Sequence, residues 1–151
     1  MYEKLKQQII FEEGRRLKVY TCTEGHRTIG IGHNLDALPN QNACKIPDEI
    51  TDEQCDAIFG TDVYSILNDL SVRFPTIEKL DYARRDALIN MAFQLGINSF
   101  MQFKGMLKAV KFQDWDVAHA HALDSLWAKQ TPARAKRVAG QLKSGEYYKA
   151  A

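Results

Sequence analysis

Residues 10–33 read Ile-Phe-Glu-Glu-Gly-Arg-Arg-Leu-Lys-Val-Tyr-Thr-Cys-Thr-Glu-Gly-His-Arg-Thr-Ile-Gly-Ile-Gly-His, and this stretch decides the fold. Just upstream, Tyr2, Leu5, Ile9 and Ile10 recur at helical spacing, which predicts a first helix over 2–11 lying on a core. Gly14 supplies the stop, because glycine takes the left-handed cap geometry without steric penalty. Residues 17–20 and 28–31 then read as strands joined around Thr23-Glu24-Gly25-His26, a turn sequence. Glu13 therefore sits where a helix stops and a hairpin begins, a place from which an acid can face a cleft. In Ile29-Gly30-Ile31-Gly32, glycine inside a strand predicts close approach by another part of the chain or by a ligand. A sheet this small is not stable alone and must lean on helices.

Beyond the hairpin, residues 34–50 read as loop, with Pro39, Asn40, Asn42 and Pro47. Thr51-Asp52-Glu53-Gln54 is a capping box. Cys55, Ile58, Phe59, Val63, Ile66, Leu67 and Leu70 follow at spacings of a helix, predicted over 52–73 and ending near Phe74-Pro75. From Asp81 the pattern is helix after helix: 82–95 closed by Gly96, 100–110, 114–127, and a last one capped by Thr131, begun by Pro132 and ended by Gly145. The expected fold class is α+β, mainly α. A single domain over 1–151 is expected, with one lobe at roughly 12–60 and another formed by 75–151 plus 1–11, linked by the helix 52–73.

The formal net charge is +1, but it is unevenly spread. Residues 1–35 carry 6 basic and 4 acidic groups, residues 36–83 carry 3 and 10, and residues 84–151 carry 11 and 5. A basic C-terminal part attracts an anionic polymer or, equally, is a solvated face. Cysteines at 22, 44 and 55 make no secreted disulfide framework and no zinc motif. The charged start and the lack of a long apolar run predict neither a signal peptide nor a membrane span. His119 and His121, two apart on a helix, point in different directions and cannot share a metal, so no metal and no cofactor are expected.

Cleaving a glycosidic bond needs an acid that protonates the leaving oxygen, and a second group across the sugar that activates water or attacks carbon. Glu13 is a candidate for the first role and Cys22, with Thr28, for the second. Each residue alone is ordinary. A glutamate at a helix end is usually a solvated charge, a strand cysteine a small buried residue and a strand threonine common.

Together with their surroundings they carry a resemblance. Glu12-Glu13-Gly14, Leu17-Lys18-Val19-Tyr20, Cys22-Thr23-Glu24-Gly25 and Thr28-Ile29-Gly30-Ile31-Gly32-His33 resemble the catalytic segment of the T-even bacteriophage type lysozymes, or endolysins. The resemblance returns in Arg84-Arg85-Asp86-Ala87-Leu88-Ile89-Asn90-Met91-Ala92-Phe93-Gln94-Leu95-Gly96 and in residues 127–138, covering about half the chain in the family's order. Residues 34–50 and 97–114 are only loosely similar. The resemblance implies a lysozyme-like fold, with a small N-terminal lobe carrying the β-hairpin joined by a long helix to a helical C-terminal lobe. It also implies a muramidase that hydrolyses the β-1,4 bond between N-acetylmuramic acid and N-acetylglucosamine. On that analogy Glu13 is the general acid and Thr28 holds the attacking water. Position 22 is aspartate or cysteine in the family, so Cys22 acts as thiolate base or as transient nucleophile. The analogy also places Arg134 near Glu13 and Arg137 near Glu12, and pairs His33 with Asp62 for stability. It puts Gly32, Leu35, Asn90, Phe93, Gln94 and Trp127 on the substrate, although Phe93 and Trp127 serve equally well as core residues.

The expected partner is bacterial peptidoglycan. No nucleic acid, no stable membrane insertion and a monomer are expected. The enzyme would be made in the host cytoplasm and reach the periplasmic wall after a holin permeabilises the inner membrane. The competing readings are a lytic transglycosylase and an inactive glycan-binding or tail structural module. A bond from Cys44 or Cys55 to Cys22 would block the site on oxidation, set against three reduced thiols.

Overall fold

The computed structural model describes residues 2–37 and 46–150. The chain divides into two compact units, residues 1–64 and residues 65–151, with the division inside the long helix α2 (Asp52–Arg73). The fold is α+β and mainly α, with one small antiparallel sheet near the N-terminus followed by helices.

In the N-terminal unit α1 (Glu3–Glu13) buries Leu5 and Ile9, and Gly14 ends it at φ 81°, its N–H donating to Ile10 O at 2.7 Å. The helix runs to Glu13, two residues beyond the span that apolar spacing predicts, and ends at the Gly14 stop. Strands β1 (Arg16–Thr21), β2 (Arg27–Gly30) and β3 (His33–Asn34) form the sheet in the order β1-β2-β3. Arg16 pairs with Gly30 and Tyr20 with Thr28, so β1 carries extra residues between these pairs and bulges. Residues 48–50 cover the free edge of β1 through Val19 N–H to Asp48 O at 3.0 Å and Ile50 N–H to Leu17 O at 2.8 Å. Edge coverage of this kind makes so small a sheet tenable.

The capping box at the start of α2 is formed: Thr51 N–H donates to Gln54 Oε1 at 2.9 Å and Gln54 N–H to Thr51 Oγ1 at 3.1 Å. Arg15 ties the α1–β1 junction to that helix, reaching Asp52 Oδ1 at 2.9 Å and Asp56 Oδ1 at 2.8 Å. Lys6 also meets Asp56, at 2.8 Å.

The C-terminal unit is helical throughout. After a 3-10 turn (Pro75–Lys79), α3 (Tyr82–Leu95) starts at the Asp81 cap and stops at Gly96. Nearly every residue over 83–92 is buried, and the buried set includes Arg85, Asp86 and Asn90, whose polar groups are paired within the unit. It packs on α8 (Pro132–Ser144). The predicted helix over 100–110 is instead α4 (Ile97–Phe100) and α5 (Lys104–Lys111), separated by a turn in which Phe103 N–H donates to Phe100 O at 3.1 Å. The predicted 114–127 helix is likewise α6 (Trp115–Leu123) and α7 (Leu126–Gln130). Ser125 divides them, its hydroxyl donating to Ala122 O at 2.7 Å while accepting from Ala128 N–H at 3.2 Å, so one side chain closes one helix and caps the next. Thr131 does not cap α8 with its side chain, because its hydroxyl donates to Trp127 O and accepts from Gln94. Among the described residues no helix is long and apolar enough to cross a membrane, and no group of three or more His, Cys, Asp and Glu is placed to hold a metal.

Candidate active site

The alternation of isoleucine and glycine in β2 and the turn after it has a direct physical reading. Ile29 and Ile31 are buried at 0 % and 1 % exposure. The two glycines between and after them lie where side chains press in. A Cβ on Gly30 would stand 3.4 Å from the Cys55 sulfur, and one on Gly32 would stand 3.0 Å from Cβ and Cγ of Glu13. Both glycines have positive φ, 66° and 63°. The Glu13 side chain therefore lies over Gly32, brought there by the last residue of α1.

On the hairpin, the turn after β1 folds Cys22 back on itself. Cys22 N–H donates to His26 O at 2.9 Å, and Gly25 N–H donates to Cys22 O at 2.9 Å. Three donors turn toward the Cys22 sulfur: the backbone N–H of His26, that of Glu24 and the Thr28 hydroxyl. With the His26 bond the largest cause, they hold the thiol below its ordinary range, against desolvation and the Glu24 charge. The Thr28 hydroxyl also donates to His26 O at 3.1 Å, and its single proton serves one acceptor at a time. Thr28 is 4 % exposed, so this hydroxyl is fixed by its surroundings.

Tyr20, the cross-strand partner of Thr28, adds a link that the sequence reading missed. Burial raises its phenol, the Arg16 guanidinium 4.4 Å from the ring centroid lowers it, and the charges of Glu13 and Cys22 both raise it further. One side chain thus senses the acid and the thiol together. The hairpin centres on Glu24 and not between Glu24 and Gly25, and this half-residue offset sets Tyr20 opposite Thr28.

His33 Nδ1 lies 2.8 Å from Asp62 Oδ2, tying β3 to α2 within the same unit. Leu35 N–H donates to Arg27 O at 2.8 Å and continues the β2–β3 hairpin. Cys22 and Cys55 are free thiols, Cys55 fully buried beneath Gly30. Cys44, and with it the bond considered to Cys22, lies outside the described residues.

In the C-terminal unit the named residues form two hydrogen-bonded groups. Trp127 is 3 % exposed, donates from Nε1 to Gln94 Oε1 at 2.7 Å and meets Phe103 edge-on at 6.2 Å between centroids. Gln94 passes the chain on to Thr131 Oγ1 at 3.2 Å. Asn90 is fully buried; its Oδ1 accepts from Arg134 at 2.8 Å and its amide donates to the Tyr148 hydroxyl at 3.1 Å. The sequence reading did not include Thr131 or Tyr148 in these groups. Phe93 and Arg137 are half-buried.

A family model, Phage lysozyme, matches residues 11–144. "Probable T4-type lysozyme 1" of Dictyostelium discoideum is 32% identical over 165 aligned positions, covering 96% of each chain. The "Pre-baseplate central spike protein Gp5" of Enterobacteria phage T4 is 36% identical over 145 positions, 84% of this chain but 25% of that one. An "Endolysin" of Acyrthosiphon pisum secondary endosymbiont phage 1 is 29% identical over 119 positions, covering 78% of this chain and 72% of its own. With its match running from the end of α1 to the end of α8, this chain belongs to the phage lysozyme family.

Proposed function

We propose that the protein is a muramidase that hydrolyses the β-1,4 bond between N-acetylmuramic acid and N-acetylglucosamine in bacterial peptidoglycan, as a phage endolysin acting in host lysis. The observation that carries this reading is the placing of Glu13 over Gly32 in the same unit as the hydrogen-bonded pair Cys22 and Thr28.

In this mechanism Glu13 donates its proton to the glycosidic oxygen as the bond to the anomeric carbon breaks. The positive charge that develops on the ring is met by a water held at Thr28. Cys22, as thiolate, takes the proton of that water, or attacks the carbon itself before water releases the sugar. Lowering the thiol by hydrogen bonds supports either role, since only the thiolate is a base or nucleophile. Synthesis in the host cytoplasm and passage to the periplasmic wall after holin action belong to the same proposal, as does action as a monomer.

Clearing of permeabilised Gram-negative cells by the native protein, Glu13→Gln and Cys22→Ser tests it. Native activity lost in Glu13→Gln is expected, with reducing sugar ends among the products. Products with 1,6-anhydro ends would replace the hydrolase by a lytic transglycosylase. The similarity to a spike protein favours one second reading, a tail-associated glycan-binding module. Wall binding without any clearing by the native protein would select it.

A further inference from the structure

Beside the turn from α5 to α6 and the last turns of α8, the C-terminal unit carries an open cleft of about 500 Å³. Gln113, Trp115, Asp116, Gly140, Lys143 and Ser144 line it. One of these residues opposes local stability. Gly140 stands inside α8, where glycine is a poor helix former, and a Cβ built on it meets nothing within 4 Å. No neighbour requires the side chain to be missing. Gln113, at φ 57°, is instead the left-handed residue that closes α5, its N–H donating to Val110 O at 3.0 Å and the following Asp114 N–H to Ala109 O at 2.8 Å. Residues that break a local rule without a packing reason concentrate at functional positions. Gly140 is such a residue, and it borders the cleft.

A second feature is a fixed aromatic ring. The Arg84 guanidinium sits 4.1 Å from the centre of the Trp115 ring, and is itself held by Leu142 O at 2.8 Å and Lys143 O at 2.7 Å. A ring pinned in this way loses little freedom when it is covered. Asp116 and Lys143, 3.6 Å apart, and the Ser144 hydroxyl put hydrogen-bonding groups beside it. An indole bordered by exposed donors and acceptors suits a sugar, whose C–H face stacks while its hydroxyl and acetamide groups bond to side chains.

We propose that this cleft is a second glycan-binding site, taking a short stretch of N-acetylated amino-sugar chain on residues none of which belongs to the Glu13 site. The choice of sugar rests on the function proposed above; the cleft itself does not. Gly140 leaves its floor open, Trp115 is the platform, and Asp116, Lys143 and Ser144 bond the polar edge.

The test is a titration of tetra-N-acetylchitotetraose into the Glu13→Gln protein, following the two tryptophan indole N–H signals by NMR. A saturable shift of the Trp115 signal is expected. Gly140→Leu in the same background fills the floor while favouring the helix, and its unchanged amide spectrum would show that it folds. The Trp115 shift should then vanish. A Trp115 signal that does not move, or that moves equally in Gly140→Leu, overturns the second site. Wall clearing by the Gly140→Leu protein with Glu13 intact reads the first site separately, so either proposal can fail without the other.

Discussion

Glu13 lies on Gly32 so closely that a side chain at position 32 would meet it: a Cβ there would stand 3.2 Å from the Glu13 carboxyl carbon. Gly32→Ala meets two obstacles. The left-handed backbone at φ 63° costs a side-chain-bearing residue roughly 1–2 kcal/mol, and the new methyl pushes Glu13 aside. The expected result is a lower melting temperature, together with a loss of wall clearing larger than the lost stability explains at a temperature where the variant is folded. Full clearing by a folded Gly32→Ala protein would detach the placing of Glu13 from its chemistry.

Cys22 offers a readout independent of catalysis. Hydrogen bonds, first from the His26 backbone N–H, favour the thiolate, so alkylation of Cys22 by iodoacetamide should have its midpoint below that of an ordinary thiol. Thr28→Val removes one donor and should move the midpoint up. Peptide-resolved mass spectrometry separates Cys22 from the other two thiols. A midpoint in the ordinary thiol range, unmoved by Thr28→Val, would contradict the hydrogen-bonded arrangement.

The same thiol sets a pH dependence for catalysis. If the thiolate takes the proton of water, activity rises with pH as Cys22 ionises. Cys22→Asp puts there a carboxylate that ionises near about 3.9, so the rising limb should move to lower pH. Cys22→Ala should lose on the order of 100-fold or more in rate. Rates of clearing measured across pH decide this, and an unmoved limb in Cys22→Asp would assign it to another group.

Asp56 holds the start of α2 to the α1–β1 junction through Lys6 and Arg15, each 2.8 Å away. The hydrogen bond from Lys6, then that from Arg15, keeps its carboxyl below the usual carboxylate range. A depressed carboxylate contributes stability that is present above its unfolded-state pKa and lost as pH falls through its folded-state one. Asp56→Asn should therefore melt lower than the native protein at neutral pH, and the gap should close in acid. Melting curves at a series of pH values, with high salt narrowing the difference at neutral pH, check the sign.

How much of this was legible follows from where each signal resides. The stop of α1 at Gly14, the capping box at Thr51 and Gln54, and the Asp81 and Gly96 limits of α3 are local, and they are found where local chemistry put them. The breaks at 101–103 and 124–125 were missed because neither contains glycine or proline. At the second, Ser125 was the available sign, a helix-capping residue hidden in an alanine-rich run. Glu13, Cys22 and Thr28 were named by resemblance, but the crowding of Glu13 on Gly32 is a tertiary relation that periodicity does not carry. Nor does it carry the bulge in β1 that sets Arg16 opposite Gly30. Arg84 on Trp115 joins residues 31 positions apart, and no spacing rule links them.

Asp86 is the most deeply buried carboxylate among the described residues, at 1 % exposure, and it is fully engaged. Arg85 donates to its Oδ1 from Nε at 3.0 Å and from its second nitrogen at 2.8 Å, while the Tyr147 hydroxyl donates to Oδ2 at 2.5 Å. Tyr147 thereby ties the segment after α8 back onto α3. Removing only the hydroxyl in Tyr147→Phe takes one bond from a charged acceptor and should cost about 1.5–3 kcal/mol. Asp86→Ala removes a buried carboxylate that two Arg85 nitrogens and the Tyr147 hydroxyl share, and should cost more, about 3–5 kcal/mol. Burial, then the bond to Asp86, pushes the Tyr147 phenol well above its ordinary value. A raised folded-state pKa gives stability that is complete below the unfolded phenol's pKa of about 10 and is lost as pH climbs past it. Tyr147→Phe should therefore show less alkaline loss than the native protein, so that the two converge at high pH. Urea unfolding at neutral and alkaline pH measures both effects, and equal neutral stability of Tyr147→Phe and native protein would mean that this short bond contributes nothing net.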